Sequence, residues 1–144
     1  MDLLFCALMH RTKEPLTHSK PIHMARYADG FVIPVPQKKL AQYRRIATKA
    51  GKVWMEHGAL AYYECVGDDL TPEGFVTTFP KMAKLKPGET VIFSWILYRS
   101  RAHRNSVMRK VMADPRLATM MDPKDPPFDM KRMAMGGFKV LVEG

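Results

Sequence analysis

Apolar residues recur along this chain with two different periods, and the switches between them mark the elements. Leu40, Tyr43, Ile46, Ala47, Ala50, Val53, Trp54 and His57 follow one another at spacings of three and four. That is one face of an amphipathic helix, predicted over Lys38–His57. Its outer face carries Lys38, Lys39, Arg44, Arg45, Lys49 and Lys52, and Gly58 is a natural stop. Gly51 falls inside the pattern, where it costs about 1 kcal/mol relative to Ala. A close approach of helix to sheet would account for it. A second helix is predicted over Arg101–Ala113, with Ser100 as N-cap and Val107, Met108, Val111 and Met112 facing inward. Asp114-Pro115 ends it and opens a short helical turn through Leu117, Met120 and Met121.

Other segments read as strands. Tyr27–Val35 is rich in β-formers, and Pro34, lacking an N–H, belongs at an edge or a strand end. Leu60–Gly67 is a second strand and Phe75–Met82 a short extended piece. Thr90–Tyr98 is the strongest strand, and Arg132–Val142 is the last, with Gly136-Gly137 at a bulge or a close contact. Turn residues separate them: Asp68-Asp69, Pro72 and Gly74, then Pro87-Gly88, then the proline-rich Asp122–Pro127. The order is β-α-β-β-α-β, the ferredoxin-like split βαβ arrangement. It predicts an α+β fold with a four-stranded antiparallel sheet and both helices on one face.

The strand VIFSWILY, Val91–Tyr98, refines this picture. One side presents Val91, Phe93, Trp95 and Leu97, the other Ile92, Ser94, Ile96 and Tyr98. Both are apolar apart from Ser94, whereas a sheet with one wet face alternates. Burying one Trp or Phe is worth about 2–3 kcal/mol, so the face away from the helices calls for a cover. A second copy of the same sheet is the simplest one, and a homodimer is expected.

Bulk composition narrows the class. The chain has 144 residues, 47% hydrophobic and 26% charged, within the range of one soluble domain. No apolar run approaches the roughly 20 residues that span a bilayer, so no membrane role is expected. Cys6 and Cys65 make neither a disulfide framework nor a zinc site, and a cytoplasmic location follows as the default. The net charge is +9, but the basic residues are dispersed through Lys38–Lys52, Lys81–Lys86, Arg99–Lys110 and Lys131–Lys139. A dispersed basic surface governs solubility and non-specific binding first. Residues 1–23 lack usable periodicity. Their run LLFCALM follows an acidic leader and precedes His10-Arg11, unlike a secretory signal. They read as an extension before a domain spanning residues 24–144.

Several segments carry a family resemblance: Asp29-Gly30-Phe31 with Val35-Pro36, Glu64-Cys65, Phe93-Ser94-Trp95 with Tyr98 and Ser100, Met112–Arg116, and Pro127–Met133 with Gly136-Gly137-Phe138. With these, the chain from about Met24 to Glu143 resembles the YbaA-like family of bacterial proteins, a domain of unknown function. The resemblance implies membership of the dimeric α/β-barrel superfamily, in which two ferredoxin-like subunits pack sheet against sheet. It brings no catalytic residue with it.

Candidate chemistry is sparse. His57, Glu64 and Asp129 are the catalytic candidates. His57 ends the first helix with a side chain that titrates near neutrality, although a histidine stabilised by the helix dipole explains it too. Glu64 stands mid-strand, where a buried carboxylate needs a partner, and reads as a base, a ligand anchor or half of an ion pair. Asp129, Lys131 and Arg132 follow the proline loop, where Arg132 offers a fork for a carboxylate or phosphate and Asp129 can simply cap a turn. Ser94, Trp95, Tyr98, Asn105 and Arg132 are the ligand-binding candidates, with Trp95 equally explained by packing. Cys65 lacks an activating neighbour. Met130, Met133 and Met135 read as adaptable filler or the wall of a pliable pocket. No Gly-rich phosphate loop, paired-histidine metal motif or nucleophile elbow occurs, no histidine is placed as a haem ligand, and no metal or cofactor is implied. The expectation is a cytoplasmic homodimer holding a small organic molecule between sheet and helices. By fold analogy alone it would be a cofactor-independent oxygenase or isomerase. The alternatives are RNA binding through the basic helix faces and a non-catalytic structural dimer.

Overall fold

The structure is a computed structural model that describes residues 25–144; the expectation for residues 1–23 lies outside them. Strand β1, Tyr27–Pro36, leads through a 3-10 turn at Gln37–Lys39 into helix α1, Leu40–Glu56. Strand β2, Ala61–Val66, is followed by a helical turn, α2, Phe79–Met82, and by β3, Glu89–Tyr98. Helix α3, Arg101–Met112, and the short α4, Pro115–Ala118, precede a 3-10 turn at Met130–Arg132 and the final strand β4, Ala134–Lys139. The four strands form one antiparallel sheet in the order β2-β3-β1-β4. The α+β class and the four-stranded antiparallel sheet are as expected from the periodicities.

Local chemistry explains the boundaries. Gly58 ends α1 with a φ of 110°, a left-handed conformation that suits glycine. Ser100 caps α3, its Oγ accepting from the His103 N–H at 3.1 Å. Asp114 caps α4, its Oδ1 accepting from the Arg116 N–H at 3.0 Å, with Pro115 in the first turn. Gly51 does permit a close approach: a Cβ there would stand 2.9 Å from the Tyr62 ring of β2. Pro34 sits where β1 has run past the end of β4 and pairs only with Val91 of β3, so its missing N–H interrupts no ladder.

Two predicted strands differ. Phe75–Met82 is not extended over its second half. Thr78 accepts from the Lys81 N–H at 3.4 Å and Pro80 lies in the first turn, so cap and proline favour a helical turn over a strand. The last strand begins two residues late. Asp129 accepts from the Lys131 N–H at 3.0 Å and turns Met130–Arg132 into a 3-10 turn. Its regular part also ends at Lys139.

Alternation along β3 divides the sheet into two faces. Ile92, Ser94, Ile96 and Tyr98 are buried under the helices. Ile96 and Tyr98 join a core cluster around Val53, Val107 and Val111, and Ile92 joins one around Ile33, Val35, Tyr43 and Ala47. On the opposite face Val91 is buried, Trp95 and Leu97 are half-buried, and Phe93 is 44% exposed. The cross-strand register sets Tyr63, Trp95, Gly30 and Gly136 in one row across that face. Tyr63 stacks on Trp95 at 5.0 Å between centroids, Trp95 meets Phe93 at 5.6 Å, and Phe79 of α2 meets Phe93 at 6.2 Å. The Phe138 ring lies over Gly30 and Gly136, where added Cβ atoms would stand 3.3 and 3.5 Å from it.

Candidate functional site

β2 is an edge strand whose alternation puts Tyr62, Glu64 and Val66 on the helix side. The carboxyl of Glu64 therefore points toward α1, which brings Tyr43 from its apolar face. The Tyr43 hydroxyl donates to Glu64 Oε2 at 2.7 Å and the Tyr62 hydroxyl donates to Oε1 at 2.8 Å. Burial, and then the adjacent Glu64 carboxylate, hold both phenols far above their ordinary range. Both remain protonated donors at neutral pH. Each belongs to an aromatic pair: Tyr43 meets Phe128 edge-on at 5.8 Å, and Tyr62 meets Trp54 at 6.2 Å.

This carboxylate borders a cavity of about 480 Å³ between sheet and helices. Phe31, Ile33, Ser94 and Ile96 supply its sheet side, and α1 supplies Ile46, Ala47, Ala50 and Trp54. The rest is largely thioether: Met108 and Met112 from α3, Met120 and Met121 after α4, and Met130, Met133 and Met135 around the start of β4. Among the described residues Glu64 is the one acidic side chain on this wall, and no basic one lines it. A second cleft of about 480 Å³ opens along the outer side of α1 and β2. It shares Tyr43, Ala47, Tyr62 and Glu64 with the first and adds Arg44 and Thr48. The Glu64–tyrosine cluster thus separates two hollows.

The expected site residues divide. Glu64 and Ser94, which is only 4% exposed, both face the cavity. Met130, Met133 and Met135 line it as well, joined by four further methionines. His57 stands elsewhere, with its Nε2 2.8 Å from Asp114 Oδ2. Asp114 also binds Arg116, which reaches Glu56 at 2.7 Å. Asp129 caps its turn. Arg132 spends its fork on Glu89, at 2.6 and 2.9 Å, and donates to the Lys84 carbonyl at 2.9 Å. Those two residues edge a separate hollow of about 630 Å³ beside the proline loop. Trp95 is on the sheet face turned away from α1 and α3, and Asn105 is exposed on α3, accepting from Arg104 at 3.0 Å. Cys65 is free and half-buried.

Tyr98 is fully buried in a second polar cluster rather than in the cavity. Its hydroxyl accepts from Trp54 Nε1 at 3.1 Å and bonds to Asp29, itself 1% exposed. Arg104 Nε lies 3.1 Å from Asp29 Oδ1 in an ion pair too bent for a hydrogen bond. Burial raises the Asp29 carboxyl above its usual range against the opposing pull of Arg104. The guanidinium also covers the Tyr27 ring, 4.9 Å from its centroid.

Tyr43, Tyr62, Trp54 and Phe128 were not anticipated as site residues. The signal available was Tyr62-x-Glu64, two polar-tipped residues on one face of a strand. Among the described residues no group of three or more His, Cys, Asp and Glu side chains gathers as a metal site. No helix among them is long and apolar enough to cross a membrane.

A single antiparallel sheet with α1 and α3 on one face and a methionine-lined hollow between them defines an α+β protein. The chain belongs to the family described as "Protein of unknown function (DUF1428)", matched over residues 26–130. It is 42% identical over 118 residues to "Uncharacterized protein YbaA" of Escherichia coli strain K12, covering 82% of this chain and 98% of that protein. The YbaA protein of Shigella flexneri matches to the same extent. The resemblance expected from the sequence segments is therefore borne out.

Proposed function

We propose that the protein is a cytoplasmic homodimer that binds a small, mainly apolar organic molecule between its sheet and its helices. The cavity carries this reading. Its volume of about 480 Å³ falls within the roughly 300–1,000 Å³ of small-molecule sites. Apolar walls with a few convergent polar groups are the usual composition of such sites, and here Glu64, Tyr43, Tyr62 and Ser94 provide the polar ones. Thioether walls adapt to the shape of an occupant.

Trp54 borders the cavity and Trp95 does not, and the chain has 2 tryptophans. A Trp95→Phe variant therefore leaves Trp54 as sole reporter. Titration with 1-bromohexane, whose bromine quenches indole, should give saturable loss of Trp54 emission. Linear quenching without saturation, equal to that of free tryptophan, would overturn the binding reading.

The dimer is supported by the sheet face turned away from α1 and α3. Alternate residues there, Ala28–Val32, Ala61–Cys65, Val91–Leu97 and Ala134–Phe138, carry no charge. A nucleic acid would require basic side chains beside the stacking rings to meet its phosphates, and these strands put none among them. A second copy offers the same neutral aromatic surface, and a two-fold axis makes such a surface its own complement. Sedimentation velocity should give a dimer for the wild type and a monomer for Trp95→Glu. A wild-type monomer at micromolar concentration overturns this half of the proposal, as does RNA retention through this face at physiological salt.

A further inference from the structure

We infer that the occupant of the cavity is an organic amine: a protonated nitrogen on an apolar body, with the nitrogen against Glu64. The inference rests on the cavity being a binding site and assigns the chemistry of what it holds. Charge is the first argument. Glu64 forms no ion pair among the described residues, on a chain that carries nine positive charges in excess. Arg44 shares the outer cleft with Glu64 but forms no ion pair with it and does not line the methionine-walled cavity. The carboxylate is nevertheless fixed in place by two phenol donors, at 2.7 and 2.8 Å. Each oxygen accepts one of these bonds, and a carboxylate has about four acceptor sites. Acceptor capacity therefore remains, and no further donor among the described residues uses it.

The surroundings give the second argument. Glu64 is half-buried, and a carboxylate that gives up part of its hydration to face apolar walls is stabilised by a counter-charge. Here the wall opposite is thioether and aliphatic carbon, which cannot supply one. The flanking rings can share the load. Tyr43 with Phe128 and Tyr62 with Trp54 are aromatic pairs on either side of the carboxylate, and aromatic faces attract ammonium groups. An anionic ligand would meet Glu64 with no cation to offset it. A neutral one would leave the carboxylate's free acceptor sites to weaker donors. The same two phenols, kept protonated, are donors and so cannot serve as the counter-charge themselves.

The test compares three probes of one size on the full-length protein by calorimetric titration: 4-phenylbutylamine, 4-phenylbutanol and 4-phenylbutyrate. The amine should bind at least tenfold more tightly than the alcohol, and the acid most weakly. Glu64→Gln should erase the amine's advantage while leaving alcohol binding within threefold, which also shows that the variant keeps its cavity. The wild-type comparison stands alone should that variant fail to fold. Equal affinity for all three, or preference for the acid, overturns the amine assignment and leaves the cavity as a binding site. Binding of none of them overturns both.

Discussion

Gly136 and Gly137 are chemically identical neighbours on β4, and the structure assigns them opposite responses to a methyl group. Gly137 pairs with Asp29 across the strands. A Cβ at Gly137 would collide with the Tyr27 hydroxyl and with the Arg104 guanidinium. Its backbone is not left-handed, so alanine is acceptable to the main chain and the cost arises from these contacts. Arg104 is the ion-pair partner of Asp29, whose side chain is 1% exposed. Displacing the guanidinium leaves that carboxylate buried without its counter-charge, a loss of about 3–5 kcal/mol when a buried pair is broken. Alanine returns about 0.4–1 kcal/mol by restricting the unfolded chain. The net destabilisation of Gly137→Ala is about 2–4 kcal/mol. At Gly136 the added carbon would meet the Phe138 ring at 3.5 Å, an ordinary contact. Gly136→Ala should change stability by less than about 1 kcal/mol in either direction. Urea denaturation reads the difference directly. At a slope of about 1–3 kcal/mol per molar, Gly137→Ala should lower the midpoint by about 1–2 M and Gly136→Ala by little. In an Arg104→Leu background the Gly137→Ala penalty should shrink, because the group it displaces is gone. Equal midpoints for the two alanine variants, or a full penalty surviving in Arg104→Leu, would refute this reasoning.

Other consequences follow from the same kind of contact. Asp114 is held well below the usual carboxylate range by Arg116 and then by His57. Its folded value lies below its unfolded one, so it stabilises the fold above about pH 4 and that contribution is lost as pH falls further. Asp114→Asn should lower the melting temperature at neutral pH and narrow the gap between neutral and acid melting temperatures; an unchanged gap contradicts the assignment. Gly51→Ala gains about 1 kcal/mol of helix propensity, yet its methyl would stand 2.9 Å from the Tyr62 ring. Net destabilisation of about 1–2 kcal/mol is expected from such overpacking, and a raised melting temperature would show that the ring yields freely. Tyr62→Phe removes one donor to Glu64 and should cost about 0.5–1.5 kcal/mol in chemical denaturation, with a neutral result indicating that water replaces the phenol.

The sheet and the long helices were legible because each rests on a period long enough to count. Val91–Tyr98 and the three-and-four spacing from Leu40 to Trp54 each commit a whole face to the core, and no alternative element satisfies them. The cap at Ser100 and the break at Asp114-Pro115 were legible for a local reason: what decides them lies within three residues. Phe75–Met82 was misread because apolar residues in a short run fit strand and helix equally, and the proline and threonine that decide it act through backbone geometry. The site was harder. Glu64 was visible as a polar residue inside a strand, but its partners Tyr43 and Tyr62 meet it only once α1 packs on β2, and no spacing along the chain reports that. His57 and Arg132 looked available because their partners Asp114 and Glu89 reach them only on folding, whereas the cap made by Asp129 is local and was among its readings. Met108 and Met112 were legible on the inner face of α3 and Met130, Met133 and Met135 as a candidate wall, but no spacing reports that these groups and Met120 and Met121 converge on one hollow.

The central claim is that an apolar molecule lodges in the methionine-walled cavity, and methionine methyl groups report on it most directly. Carbon-13 methyl labelling makes all 12 methionines visible, among which Met55 and Met82 lie off the cavity and are exposed. On titration with 4-phenylbutylamine, the seven cavity methyls, from Met108 to Met135, should shift together along one saturable curve while Met55 and Met82 stay in place. Cavity methyls that do not move, or that move no more than Met55 and Met82, would contradict the claim.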